Sequence, residues 1–72
     1  MNIKELKVEM IRHNDTIGTL AKGIGKSRST LSKKINKGQG NFTQSEISAI
    51  SDRYQLTSER VAEIFFADIV SE

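Results

Sequence analysis

TIGTLAKGIGKSRSTLSKKINK, residues Thr16 to Lys37, has the form of two short helices joined by a tight turn. Its spacing predicts a helix from about Ile17 to Ile24 and a second from about Arg28 to Asn36. Leu20 and Ile24 stand four apart, as do Leu31 and Ile35, so each helix carries an apolar stripe on one face. Gly25 falls where the first of the two must stop, and glycine takes the left-handed conformation there without steric cost. Thr16 caps the first helix. Ser27 caps the second, its hydroxyl accepting from a free N–H of the first turn. Ala21 is small enough to let the two helices approach near the turn. The first helix also holds Gly18 and Gly23, each costing roughly 1 kcal/mol relative to alanine, so packing must hold it in place of propensity. The stretch carries Lys22, Lys26, Arg28, Lys33, Lys34 and Lys37 and no acid. A helix hairpin with this charge offers its second helix to something negatively charged.

The chain on either side reads as three more helices. Asn2 caps a helix that ends near His13, with Glu5 completing a capping box and Ile3, Leu6, Met10 and Ile11 forming its apolar face. Lys4, Lys7 and Arg12 look outward, and Asn14-Asp15 is a turn. Lys37 to Asn41 is a loop. Thr43 with Glu46 is a second capping box, and Phe42 staples onto Ile47. That helix shows Ile47, Ile50 and Tyr54 on one face and ends around Arg53 to Gln55. Leu56, Thr57 and Val61 repeat the device for a last helix that turns Val61, Ile64, Phe65 and Ile69 toward the core. The fold class is therefore all-α, five helices in residues 1–72, as a single domain.

Seventy-two residues bury only about 60% of their unfolded surface, so the core is small. Without cysteine, no disulfide or zinc-thiolate site can brace it, which fits a reducing cytoplasm. No run approaches the length of a membrane span, and MNIKELKVEM is too charged for a signal peptide. The net charge of +2 says less than its distribution. The middle is basic. From Thr43 onward Glu46, Asp52, Glu59, Glu63, Asp68 and Glu72 stand against Arg53 and Arg60.

Leu20-Ala21, Ile24-Gly25, the run Ser27-Arg28-Ser29-Thr30-Leu31-Ser32, then Lys34-Ile35-Asn36 resemble the small helix-turn-helix regulators of the lambda-repressor-like class, in their short phage-type form. Gly40-Asn41-Phe42-Thr43-Gln44-Ser45-Glu46-Ile47 is similar to the start of their fourth helix. Size and tail further resemble the modulator-of-repression type, antirepressors in the genetic switches of temperate phages of lactic-acid bacteria. The resemblance implies a five-helix fold whose third helix enters the major groove of double-stranded DNA in the bacterial cytoplasm. It implies that Arg28, Ser29, Lys33 and Asn36 face base edges, while Lys26, Ser27, Thr30 and Lys37 lie nearer phosphates. A phage repressor protein is the implied partner. The other reading is a stand-alone dimeric repressor with no repressor partner. Three residues depart from the pattern. Ile17 replaces a DNA-contacting glutamine, Lys26 replaces an apolar turn residue, and Lys34 occupies an apolar position. The departure at Ile17 and the two glycines weigh against strong DNA binding by this chain alone.

Phe65, Phe66, Ile69 and Val70 offer more apolar surface than one core contact needs. They form either a self-association or partner patch, or part of the core. Gly25-Lys26-Ser27 mimics the end of a phosphate-binding loop, but Leu20 stands where that loop needs glycine, and no strand precedes it. Gly23-Ile24-Gly25 fails the dinucleotide pattern at Arg28. His13, the one histidine, has only Asp15 nearby and lacks the constellation of a catalytic or metal site. The expectation is a regulator without enzymatic activity, cofactor, metal or small-molecule substrate.

Overall fold

The computed structural model describes residues 2–36 and 42–66, and these form five α-helices: α1 Ile3–Arg12, α2 Ile17–Gly23, α3 Arg28–Asn36, α4 Gln44–Tyr54 and α5 Ser58–Phe65. Among the described residues there is no strand. Helix starts follow from side-chain caps. Asn2, Thr16, Thr43 and Thr57 each accept from the N–H three residues on. Ser27 does the same for α3, accepting from the Thr30 N–H at 3.2 Å.

Three helix ends share one physical solution. Past α2, Gly25 sits at φ +75°, the Lys26 N–H reaches back to the Ala21 carbonyl at 2.8 Å, and the Gly25 N–H reaches Lys22. This paired closure satisfies two carbonyls that the helix leaves open. Asn14 and Gln55 adopt the same left-handed geometry after α1 and α4, closing Asp15 onto Met10 and Leu56 onto Ser51. Asparagine tolerates that conformation, whereas glutamine at Gln55 meets a steric cost.

The core is built from Leu6 and Met10 of α1, Leu20 and Ala21 of α2, Leu31 and Ile35 of α3, Ile50 and Tyr54 of α4, and Ile64 and Phe65 of α5. Helix α2 lies on α3, and α5 packs against both α1 and α4. Phe42 and Ile47 are half-buried against this core, as are Leu56 and Val61. The Asn2 N–H donates to the Ile64 carbonyl at 2.6 Å, tying the start of α1 to the end of α5.

Two expectations for α1 are corrected. Glu5 does not complete a capping box: the Asn2 N–H is taken by Ile64, and the Glu5 carboxylate pairs instead with Arg60 at 2.8 Å. Ile11 is not on the buried face but 74% exposed. The buried side of α1 instead includes Glu9, on the flank away from Ile11, held by the Arg60 Nε at 2.6 Å and by Arg12 at 3.3 Å. Helix α2 ends at Gly23, with Ile24 as its cap. No helix among the described residues is long and apolar enough to cross a membrane.

Candidate nucleic-acid interface

Helix α3 sorts its residues by angle. At about 100° per residue, Leu31 and Ile35 share one side, and Ser29, Lys33 and Asn36 fall opposite them. Leu31 and Ile35 are accordingly buried, and Ser29, Lys33 and Asn36 are exposed. Arg28 is also exposed, but it stands seven residues before Ile35, about 20° from it around the helix, so it lies on the flank toward α2 and not on this outer face. It stands near α2, since a Cβ at Gly18 would be 3.5 Å from Arg28 Cδ. Ser27 and Thr30 are turned toward each other, the Ser27 hydroxyl donating to Thr30 Oγ1 at 2.7 Å. Asn36 Nδ2 donates to Ser32 Oγ at 3.3 Å, leaving its carbonyl outward-capable. The structure thus brings Ser27, Arg28, Ser29, Thr30, Lys33 and Asn36 onto one exposed helix. Lys37 lies outside the described residues.

Two lysines of the basic stretch are drawn off this surface. Lys34 Nζ donates to both oxygens of Glu46, at 2.7 and 2.9 Å, and stands 5.5 Å from the centre of the Phe42 ring. Its side chain is only 15% exposed. Lys26 approaches the same carboxylate at 3.6 Å from a more open position. Glu46 is buried and also accepts from the Thr43 N–H at 2.8 Å. Burial works to raise its pKa, but the bonds from Lys34 and Thr43 and the charges of Lys34 and Lys26 outweigh burial and hold it below the ordinary value. An apolar position in the resemblance is therefore filled here by an ion pair whose partner lies in α4. The phosphate-facing role expected of Lys26 competes with this contact.

A second polar cluster fixes the hairpin to α4. Asp15 accepts from Arg53 Nε and Nη2, both at 2.8 Å, from the Tyr54 hydroxyl at 2.6 Å and from Thr19 Oγ1 at 2.7 Å. The fork from Arg53 holds the Asp15 carboxyl well below the usual carboxylate range. Burial, followed by the bond to Asp15, pushes the Tyr54 phenol above its usual range. Arg53 lies across Gly23, where a Cβ would collide with its guanidinium. Gly23, a local cost to α2, is thus the gap through which α4 reaches the turn before α2. His13 stacks on Tyr54 with ring centroids 4.5 Å apart, beside an open cleft of about 200 Å³ that Asp15, Arg53 and Tyr54 also line. With four hydrogen bonds from three side chains on an ionised carboxylate, Asp15 is an anchor, not a proton acceptor in waiting. Among the described residues no three His, Asp or Glu side chains gather as a metal would need.

The apolar residues singled out near the C-terminus divide. Of the two readings left open for it, Phe65 takes the core, where it meets Phe42 edge-on at 5.8 Å. Phe66 remains 38% exposed. Ile69 and Val70 lie outside the described residues.

The four-residue spacing of Leu31 and Ile35 marked the inner side of α3 in the sequence, and the resemblance supplied Ser29, Lys33 and Asn36 as outward residues. The burial of Glu46 and Glu9 was not legible there, because Lys34 and Arg60, which hold them, lie in other helices. The signal available was Lys34 itself, a cation at an apolar position, which requires an acid. The chain matches no known family model, no curated protein and no solved structure.

Proposed function

We propose that this chain is a transcriptional regulator of the lambda-repressor-like helix-turn-helix class, reading duplex DNA through α3. The observation that carries the reading is the outer face of α3, Ser29, Lys33 and Asn36 opposite the buried Leu31 and Ile35, with Arg28 exposed at the start of the helix on the α2 side. A lysine and an asparagine on an exposed helix supply donors suited to guanine and adenine edges, and serine adapts to either. Arg28 reaches the groove edge from the start of the helix, where free N–H groups and the helix dipole also favour phosphate. No acid interrupts the sequence from Thr16 to Gly40.

A specific observation favours action together with a partner repressor, as a modulator in a phage-type switch. Glu46 engages Lys26 and Lys34, which removes charge from the face offered to DNA. Ile17, the first residue of α2, supplies no polar contact. The protein alone therefore binds DNA weakly, and its regulatory effect is exerted on the repressor's complex.

Fluorescence anisotropy of a labelled duplex carrying the promoter region beside its gene tests this, with the protein alone and with the neighbouring repressor added. The expected result is weak binding alone, falling as salt rises with a log–log slope of about −0.9 per phosphate contacted, and a changed repressor titration. Tight sequence-selective binding alone would favour the stand-alone repressor. Lys33→Ala and Arg28→Ala should change the ranking of operator variants. Equal weakening on every sequence would exclude base reading by those residues.

A further inference from the structure

Among the described residues, two large apolar side chains are exposed, Ile11 and Phe66. They sit in opposite settings. Ile11 borders an open groove of about 230 Å³ lined by Lys7, Met10, Ile17 and Ile35, with Asp15 at its edge. That Asp15 carboxylate is already engaged by Arg53 and Tyr54. Lys4 and Lys7 are exposed on the same side of α1 as Ile11, since the three fall within about 60° of one another around the helix. The groove is mostly apolar, with Lys7 and the already paired Asp15 as the charged residues of its lining and Lys4 about one turn beyond Lys7 on α1.

Phe66 closes α5, its N–H donating to the Ala62 carbonyl at 3.0 Å. Glu59 and Glu63 precede it by two helical turns and by one, which puts them on its side of α5; both are exposed, and Glu63 also accepts from Arg60 Nη1 at 3.2 Å. Phe66 is therefore an apolar knob with an acidic flank. The bond from Asn2 to Ile64 pins the end of α5 beside the start of α1. Ile11 lies eight residues along from Ile3, about 12 Å further down α1. The knob and the groove of one molecule thus occupy opposite ends of the same helix. A closed cavity of about 150 Å³ accommodates benzene, so the groove has room for a phenyl ring.

We propose that Phe66 of one copy of this chain seats in the Ile11 groove of a second copy, with Glu59 and Glu63 of the first facing Lys4 and Lys7 of the second. The occupant follows from complementarity in both shape and charge. The contact joins unlike surfaces: made twice around a twofold axis it closes a dimer, and made once it leaves a chain open. It is independent of the DNA reading and stands or falls separately from it.

Sedimentation equilibrium over a concentration series tests it, using the wild-type chain, Ile11→Asp, Phe66→Ser and an equimolar mixture of the two variants. Wild type should show a mass that rises with concentration and less steeply as salt is added. Each variant alone should dissociate at least about tenfold more readily. The mixture should regain association, because I11D keeps its knob and F66S keeps its groove. Thermal unfolding by circular dichroism establishes that each variant is folded. Lys7→Glu provides a second route that leaves the apolar residues intact: it should weaken association, and K7E with E63K in one chain should restore it. A wild-type chain that stays monomeric up to about 1 mM overturns the proposal. So do variants that associate as wild type does, or a mixture that associates no better than its components.

Discussion

Glu46 shows how one side chain serves two levels of structure. Locally it is the third residue of a capping box, and that role is legible from its spacing to Thr43. Its second role, as the buried partner of Lys34 and Lys26, is not, because a partner in another helix leaves no periodic trace. Ile11 is a different case: it stands about 140° around α1 from Leu6 and about 100° from Met10, which leaves it outside, while Glu9 lies on the other flank of the buried side and is held there by Arg60. The two lysines on Glu46 differ in burial, and that difference sets their worth. Lys34→Met should cost about 2–4 kcal/mol, because it leaves a buried carboxylate with only a backbone bond and a distant cation. Lys26→Ala should cost less than about 1 kcal/mol, because its pair is long and solvent-screened. Urea unfolding followed by circular dichroism measures both. Equal losses would mean that Lys26 carries a share of the compensation for Glu46 comparable to that of Lys34.

At the scale of the element, α2 is the informative helix. Its limits were readable in Thr16 and Gly25, since a cap and a left-handed stop are local devices. Its two glycines looked alike in the sequence, each a loss of helix propensity. The structure separates them. A methyl group at Gly18 meets Arg28 only at ordinary contact distance. A methyl group at Gly23 would displace the Arg53 guanidinium from Asp15. Gly18→Ala should therefore raise stability by about 0.5–1 kcal/mol, the helix-propensity gain with little opposing it. Gly23→Ala should gain less or lose stability, and should recover its full gain of about 1 kcal/mol once Arg53 is also replaced by alanine. The four chains form a double-mutant cycle read by thermal or urea unfolding. An identical effect of Gly23→Ala with and without Arg53 would show that the guanidinium does not depend on that gap. Gln55 presents the reverse case. Nothing in glutamine marks it for a left-handed helix stop, and only the closure of Leu56 onto Ser51 reveals it.

Across the whole molecule, the sequence showed a basic middle and an acidic C-terminal part, and the structure changes what that polarity means. Part of the acidic half turns inward or pairs: Glu46 with Lys34, and Glu63 with Arg60. Arg53 and Arg60 reach back to acids of the first fifteen residues. The outward charge is thus set by Arg28 and Lys33 on α3 and by residues such as Glu59 on α5, while internal pairs tie the helices together. Such ties make stability depend on pH in opposite senses at the two ends of the scale. Asp15 and Glu46 have folded pKa values below their unfolded ones. Their contribution is present above the unfolded carboxylate range near pH 4 and is lost as pH falls through the folded values. Tyr54 has a raised folded pKa, so its contribution is complete below the unfolded phenol value near pH 10 and is lost at higher pH. Urea midpoints measured across pH should therefore fall on the acid side below about pH 5 and on the alkaline side above about pH 10. Asp15→Asn should make the acid limb shallower, with Glu46→Gln flattening it further, and Tyr54→Phe should make the alkaline limb shallower. Because Asp15 accepts from Tyr54, each of the first and last substitutions should also alter the other's limb. Limbs that respond independently would show that the two groups do not titrate as one cluster joining the first turn to α4.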